Sequence, residues 1–543
     1  MTPARVLIVQ PQFAADATKT RLLVAECLAL GYLASALRQA EIAVDPLDAH
    51  LLGLTTAACV DVAERGRYSI VGISCSAQRA YPEAAELARA MKGRLPGVHV
   101  VGGGQFLSHV HARVAASEPA FDSFVRGEGE HTFVALIRRL AQGRDLKDLA
   151  GVTFRQDGAV VANGPAPRLT DLDRLPFPDR SYLPHVVDDV RAGVRLVALM
   201  ATHGCIYKCT FCSVDRPRAA RSPANVVAEM REIHERWDVG RFWFNDDLLV
   251  GATPEMQAWG EELADRLAAE LPGLELRGMT RADAVTPRLA TKLRRAGFRS
   301  IFVGVESASD GVLGRFKKGT TAQMNMRAIE VLEAAGIRPE LGFIMLEPRM
   351  TWDDLNRNLR FLRRVGCYTR HNLTNRLNVY HGSPLYGETR PVAAGDDQTA
   401  AEELTERYLY DFQDPKVKAF SEGASLRQRQ GFEVKRDLAD AIARLREVRS
   451  NLCRAHGPET RTWPAVRALA EHGGRLERHE ADGWLAVLED LYARIDRDEP
   501  EEVVREESRR RAAAMLGSLA REVDELNQHI DRVARISHSA ALR

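Results

Sequence analysis

Three cysteines, Cys205, Cys209 and Cys212, fall within the stretch His203-Gly204-Cys205-Ile206-Tyr207-Lys208-Cys209-Thr210-Phe211-Cys212. Thiolates are soft ligands that suit iron–sulfur clusters and zinc. A C-x3-C-x2-C loop can turn three of them toward one region. Three thiolates hold three irons of a [4Fe–4S] cube and leave the fourth iron open to an exogenous ligand. A structural zinc would need a fourth protein ligand, which His203 or a distant cysteine would have to supply. Phe211 is an aromatic that can cover such a cluster or a ligand beside it. The chain has 8 cysteines, and those outside the loop are dispersed. This usage fits a reducing compartment better than a disulfide framework. Cys367 and Cys453 read as buried apolar residues.

The elements around the loop must position it. Residues 195–201 are apolar and predict a buried strand that delivers the loop to the carboxyl end of a parallel sheet. Further strands are predicted at 241–247, 275–283, 300–307, 340–347 and 375–380. Helices are predicted at 223–237, capped by Ser222, and at 255–270, 288–296, 321–335 and 352–365. Six strands with helices between them make residues 191–390 a partial (β/α)6 barrel. Chemistry on such barrels sits at the carboxyl ends of the strands. Asn245, Asp246, Asp247, Arg281, Asp283, Glu306 and Ser307 all fall there.

A second α/β unit precedes it. In residues 1–150, strands at 5–9, 42–45, 69–74, 98–102 and 122–125 alternate with helices, including 22–39 and 80–92. This predicts a doubly wound, Rossmann-like sheet that binds ligands at its strand ends. Gln10, Pro11, Ser74, Ser76, Gly102, Gly103, Gly104, Gly127, Glu128 and Gly129 lie at those ends. Residues 151–190 read as a connector, a hairpin at 152–161 turning at Asp157-Gly158, followed by an extended proline-rich stretch. Residues 391–543 begin with a polar loop and continue as helices. Leu516, Leu519, Val523, Leu526 and Ile530 form a narrow apolar stripe, either a packing face or a partner helix.

The cysteine loop, with Phe211 and its preceding strand, resembles that of the radical S-adenosylmethionine (SAM) enzymes. The Val101-Gly102-Gly103-Gly104 and Arg126-Gly127-Glu128-Gly129-Glu130 strand ends, and the strap at 171–180, resemble the subfamily with an N-terminal cobalamin-binding domain. The resemblance implies a [4Fe–4S] cluster whose open iron is chelated by SAM. It implies that Asn245, Asp246 and Asp247 accept from the SAM amino group, that Arg281 faces its carboxylate, and that Asp283, Glu306 and Ser307 hold ribose hydroxyls. It also implies cobalamin on the first domain and reductive cleavage of SAM to a 5′-deoxyadenosyl radical. The outcome expected is methylation of an unactivated carbon of a natural-product or peptide substrate. An electron donor such as flavodoxin or ferredoxin is the expected partner, and the helical tail is expected to cover the active site. Two other readings stay open: a non-methylating radical reaction such as dehydration, epimerisation or cyclisation with the first domain empty, and a non-catalytic metal scaffold.

Two features depart from the pattern. Asp48-Ala49-His50-Leu51-Leu52-Gly53 matches the cobalt-ligating D-x-H-x-x-G pattern but follows the second strand, so His50 reads as an ordinary loop histidine. The loop after the first strand has no histidine, which leaves cobalt's lower face without one. At the end of the fifth barrel strand, Glu347-Pro348 replaces a glycine-rich turn, and Glu347 has no assigned role.

Bulk properties limit the alternatives. The 543 residues suggest several domains, and 75 basic against 74 acidic residues leave a net charge of +1. No block of like charge suggests a nucleic-acid partner. No apolar run reaches the ~20 residues that span a bilayer. The chain enters its first strand without a signal-like segment, so a cytoplasmic location is expected.

Overall fold

The structure is a computed structural model that describes residues 5–12, 26–214, 217–388, 410–430, 432–457 and 464–541. Seven strands form the first sheet: β1 (Val6–Gln10), β2 (Val44–Asp48), β3 (Ile70–Ser74), β4 (His99–Gly103), β5 (Ser123–Val125), β6 (Val152–Gln156) and β7 (Ala159–Ala162). Their order is β2-β1-β3-β4-β5-β6-β7. The first five are parallel, as the alternation with helices requires. The expected hairpin is there, but it belongs to this sheet rather than to a free connector. β6 pairs antiparallel with β5 and carries β7 on its edge. Asp157 and Gly158 both take positive φ, +51° and +80°, as a tight two-residue hairpin turn requires. The first helix is described from Leu28 to Gln39; most of its expected first turn lies outside the described residues.

The second sheet has the order β14-β13-β12-β11-β8. Its members are β8 (Val197–Leu199), β11 (Arg241–Phe244), β12 (Glu275–Arg281), β13 (Phe298–Glu306) and β14 (Arg338–Phe343), all parallel. A two-stranded ribbon, β9 (Thr202–His203) with β10 (Ala219–Ala220), brackets the cysteine loop. Helices Pro223–Trp237 and Trp352–Val365 match their expected bounds. Ser222 accepts from Asn225 N at the first helix start, and Thr351 with Asp354 forms a capping box at the second. The sixth expected strand is not one. Residues 375–380 make a single parallel bridge, Leu346 to Arg376. β14 has already ended at Phe343, and Asn375 Nδ2 is spent on Phe343 O at 2.8 Å. Five strands therefore leave one side of the barrel open.

The tail packs on the outer helix that follows β14. Helix Pro464–Asp496 runs along Trp352–Val365. Arg363 pairs with Glu489, and Trp352 stacks on Tyr492 at 4.1 Å and donates to Asp496 Oδ1. Helices Phe432–His456, Pro464–Asp496 and Glu501–Ala541 bury Leu445, Leu476, Leu519, Val523, Leu526 and Ile530 between them. The apolar stripe is thus a packing face within the chain. The expected polar loop at 391–402 lies outside the described residues. No helix among those described is long and apolar enough to cross a membrane.

A buried ionic cluster ties the two sheets together. Arg180, in the strap between them, pairs with Glu26 before the first domain's first helix and with Glu229 on helix Pro223–Trp237. It also donates to Ala198 O of β8 at 2.9 Å. Arg221 joins Glu229 from the other side and donates to Met200 O at 3.0 Å. Burial pushes the Glu26 carboxyl above its usual range, against the pull of Arg180. Removing one member of a buried charge set leaves the others unpaired, at roughly 3–5 kcal/mol. R180M is therefore expected to lose about that much stability in urea unfolding of the cluster-free protein; a loss below about 1 kcal/mol would show that water reaches the cluster.

Candidate active site

The cysteine loop is irregular from Gly204 to Arg218 among the described residues, so its shape depends on what grips it. Two carboxylates at the end of β11 grip its entry. Asp246 Oδ1 accepts from Ala201 N at 3.0 Å and from Thr202 N. Asp247 Oδ2 accepts from Gly204 N at 2.8 Å. Gly204 has φ +72°, a conformation that favours glycine, and it turns the chain into the loop. Thr210, between the second and third cysteines, is held from the far side. Its N donates to Phe316 O at 2.9 Å, its Oγ1 to Arg315 O at 3.1 Å, and its carbonyl accepts from Leu385 N at 2.9 Å. Glu347, unassigned from sequence, accepts from Arg315 Nε at 3.0 Å. It braces the segment that holds Thr210.

Cys205, Cys209 and Cys212 are free thiols, each half-buried. Burial pushes the Cys212 thiol up to about 11 and also raises that of Cys205; neighbouring cysteines add to both shifts. Among the described residues, no three His, Cys, Asp or Glu side chains converge as the ligands of one metal ion would. A cube differs, because each thiolate binds its own corner iron and the sulfurs surround the site rather than meet. N–H donors already face two of the sulfurs: Val214 N to Cys212 Sγ at 3.5 Å, and Arg281 Nη1 to Cys209 Sγ at 3.6 Å. That donor set fits three ligands of a [4Fe–4S] cluster. His203, the zinc alternative's nearby fourth ligand, points elsewhere. Its Nε2 lies 3.2 Å from Leu169 O and 3.3 Å from Glu128 Oε1.

The remaining expected SAM contacts divide into two groups. Asp246 is buried, and its Oδ1 is committed to the backbone. Arg281 turns its fork onto Asp283, at 3.0 and 2.9 Å, so neither residue is open to a carboxylate or ribose as expected. Ser307 is fully buried and donates to Asn358 Oδ1 at 2.9 Å. These residues hold the frame. Asn245 is exposed at the end of β11. Glu306, at φ +64°, accepts from Lys318 Nζ at 2.9 Å through one oxygen. Phe211 packs edge-on against Phe316 at 5.0 Å. Asn245, Glu306 and Phe211 are the expected contacts left available to hold SAM.

On the first sheet the strand order switches direction between β1 and β3, the crevice at which such sheets bind ligands, and Gln10, Pro11, Ser74 and Ser76 stand at the carboxyl ends of those two strands. Gly102, Gly103 and Gly104 continue this edge. Gly104 has φ +95°, and a Cβ there would sit 2.7 Å from Cys75 O, so only glycine fits. None of residues 10–12, 74–78 or 102–106 is a histidine. An edge built of small residues and backbone suits a broad planar group such as cobalamin. His50 follows β2 at the sheet's edge, away from the crevice. Gly127 N donates to Ser108 Oγ at 3.0 Å. Gly129 starts a helix and packs near Leu33. Glu128 does not line the crevice. It is buried, accepting from Leu169 N at 2.5 Å and facing His203.

The two edges meet. Helix Gln105–Ser117, which follows Gly104, reaches the cysteine loop one residue past Cys212. Gln105 Nε2 donates to Ser213 Oγ at 3.2 Å, and His109 Nε2 lies 3.2 Å from Ser213 O. Nothing in the sequence marked Gln105, His109, Thr210, Lys318 or Arg180, because each acts through a contact far along the chain. Together, fold and site define an iron–sulfur barrel facing a cofactor-binding α/β domain.

Comparisons with known proteins agree. Residues 199–362 match the model of the radical SAM superfamily, and residues 17–137 match that of the B12 binding domain. The chain thus carries a radical SAM domain and, ahead of it, a B12-binding domain. It is 27% identical over 62% of its length to 73% of a protein named as an uncharacterized methyltransferase in Pyrococcus horikoshii. It is also 27% identical over 48% of its length to the anaerobic magnesium-protoporphyrin IX monomethyl ester cyclase of Synechocystis, of which it spans about half, 52%. Its fold is similar to that of the cobalamin-dependent SAM radical enzyme OxsB with aqua-cobalamin bound. The TM-score is 0.69 at 18% identity, covering 95% of this chain and 84% of the other.

Burial holds the Asp246 carboxyl up near 7, against the N–H groups of Thr202 and Ala201 that pull it down. A folded-state pKa above the unfolded value means that the fold binds this proton more tightly. Its stabilising contribution is full at low pH and falls as pH rises from about 4 to about 7, by up to ~1.4 kcal/mol per pH unit. In cluster-free protein, the stability of wild type relative to D246N should therefore fall from pH 5 to pH 7. A constant difference in urea unfolding would contradict this.

Proposed function

We propose that this chain is a cobalamin-dependent radical SAM enzyme that methylates an unactivated carbon of a small natural-product or peptide substrate. The observation that carries the reading is the pair of contacts from Gln105 and His109 to Ser213, which set the first sheet's ligand edge against the cysteine loop. A methyl carrier and a radical generator must address one substrate carbon, and this arrangement supports that. The relative named as a methyltransferase points the same way.

When bound, the cluster and SAM supply a carbon-centred oxidant and cobalamin supplies a methyl group; such chemistry belongs to the cofactors. The chain's own tasks are to hold and to shield. Cys205, Cys209 and Cys212 provide the three thiolates. Asp246, Asp247 and Thr210 fix the loop that carries them. Asn245 and Glu306 offer acceptors to a SAM ammonium or hydroxyl. Phe211 and Phe316 give the site an apolar wall that keeps water away. The substrate is expected between the two ligand edges, and Gln413 N, donating to Pro348 O at 2.9 Å, ties residues 410–414 to the segment that follows β14. An external low-potential donor such as flavodoxin or ferredoxin supplies the electron. A cytoplasmic, reducing location suits such a centre.

The relative named as a cyclase favours keeping a second outcome in view, a radical reaction without methyl transfer. Product analysis separates the two. Reconstituted protein given SAM, cobalamin, a strong reductant and candidate substrates should form S-adenosylhomocysteine together with 5′-deoxyadenosine and a product heavier by one methylene. 5′-Deoxyadenosine without S-adenosylhomocysteine would overturn methylation. Single C205A, C209A or C212A variants should lose both products, by at least a hundredfold.

A further inference from the structure

Arg281 aims a fixed positive charge at the cysteine loop. Its Nη1 lies 3.6 Å from Cys209 Sγ, within N–H···S range. Asp283 holds its Nε and Nη2 at 3.0 and 2.9 Å, and Nη2 also donates to Lys318 O. Tyr207, which stands between Cys205 and Cys209, covers the guanidinium face with its ring centroid 3.6 Å away. The side chain is only 6% exposed. A guanidinium does not lose its proton in a protein, so this charge is permanent. Turning it elsewhere would break the Asp283 fork, the Lys318 bond and the ring stack together. A residue needed only for packing would not require a buried cation with an Nη1 N–H directed at a thiolate.

We propose that Arg281 is a positioning residue that tunes the cluster: its N–H bond to the Cys209 sulfur raises the cluster's reduction potential. The proposal rests on the iron–sulfur reading above. Reduction adds one electron, from an external low-potential one-electron donor, and makes the centre more negative. A cation and an N–H donor beside a ligating sulfur stabilise the reduced form more than the oxidised one. Asp283 works in the opposite direction. It anchors the guanidinium but contributes an anion, so the pair sets the local field between them. The arrangement would let the barrel accept an electron at a potential its donor can reach. Other variants of the loop would leave the same three thiolates with a different potential.

The two charges give the test its sign. Wild type, R281M and D283N are reconstituted without oxygen, and the midpoint potential of each cluster is read by mediated redox titration with electron paramagnetic resonance. R281M keeps the bulk and removes the cation. Its one-electron reduction should become at least tenfold less favourable, a fall of about 59 mV. D283N removes the anion while Tyr207 and the Lys318 carbonyl still hold the guanidinium, so its potential should rise. Potentials of both variants within twofold of wild type, in equilibrium-constant terms, would overturn the assignment. Should R281M fail to load a cluster, D283N decides alone: a rise supports the assignment, and no change or a fall overturns it. Wild type that loads no iron–sulfur centre at all would sink the underlying reading, a different result from an unmoved potential.

Discussion

Asp246 and Asp247 hold the entry to a loop that has no regular structure of its own. Three backbone N–H groups, those of Ala201, Thr202 and Gly204, end on these two carboxylates. Without them the chain leaving β8 has no fixed direction, and three cysteines on an unfixed loop cannot keep the spacing that a cube demands. The grip is costly. Asp246 is buried, its Oδ2 has no hydrogen-bond partner among the described residues, and burial drives its carboxyl toward neutrality. Such a cost is tolerated where a site must be rigid before its ligand arrives.

The same logic extends outward. Arg180 and Arg221 bond to the carbonyls of Ala198 and Met200, on either side of the residue that ends β8, and both meet at Glu229. Through Glu26 this network reaches the first domain. Glu128 and His203 form a second tie between the domains, and Ser213 a third. The cysteine loop is therefore held jointly by both α/β units. That joint hold gives the two ligand edges a defined separation, which a reaction using both would require.

Much of this was legible in the sequence because it is local. The cysteine spacing, the strand–helix alternation, the Ser222 cap and the Asp157-Gly158 turn each rest on residues near one another in the chain. The structure departs from those expectations chiefly where contacts are non-local. Asp246, Arg281 and Ser307 have the residue types of ligand contacts and sit at strand ends, yet their polar atoms are taken by Thr202, Cys209, Lys318 and Asn358, and Arg281 in turn holds Asp283. A strand-end position shows where a side chain starts, not which partner reaches it first. Glu128 likewise sits in a glycine-rich turn but serves the domain boundary. Residues 375–380 have the pattern of a strand, but β14 stops too early to pair with them along their length.

The central claim is that these three thiolates hold a cube with one iron left for SAM. Mössbauer spectroscopy of protein reconstituted with iron-57 tests it most directly, with and without SAM. The expected result is a signal from about four irons per chain in which a single iron site changes when SAM is added. Retention of zinc in place of iron, or a spectrum that SAM leaves untouched, would contradict it.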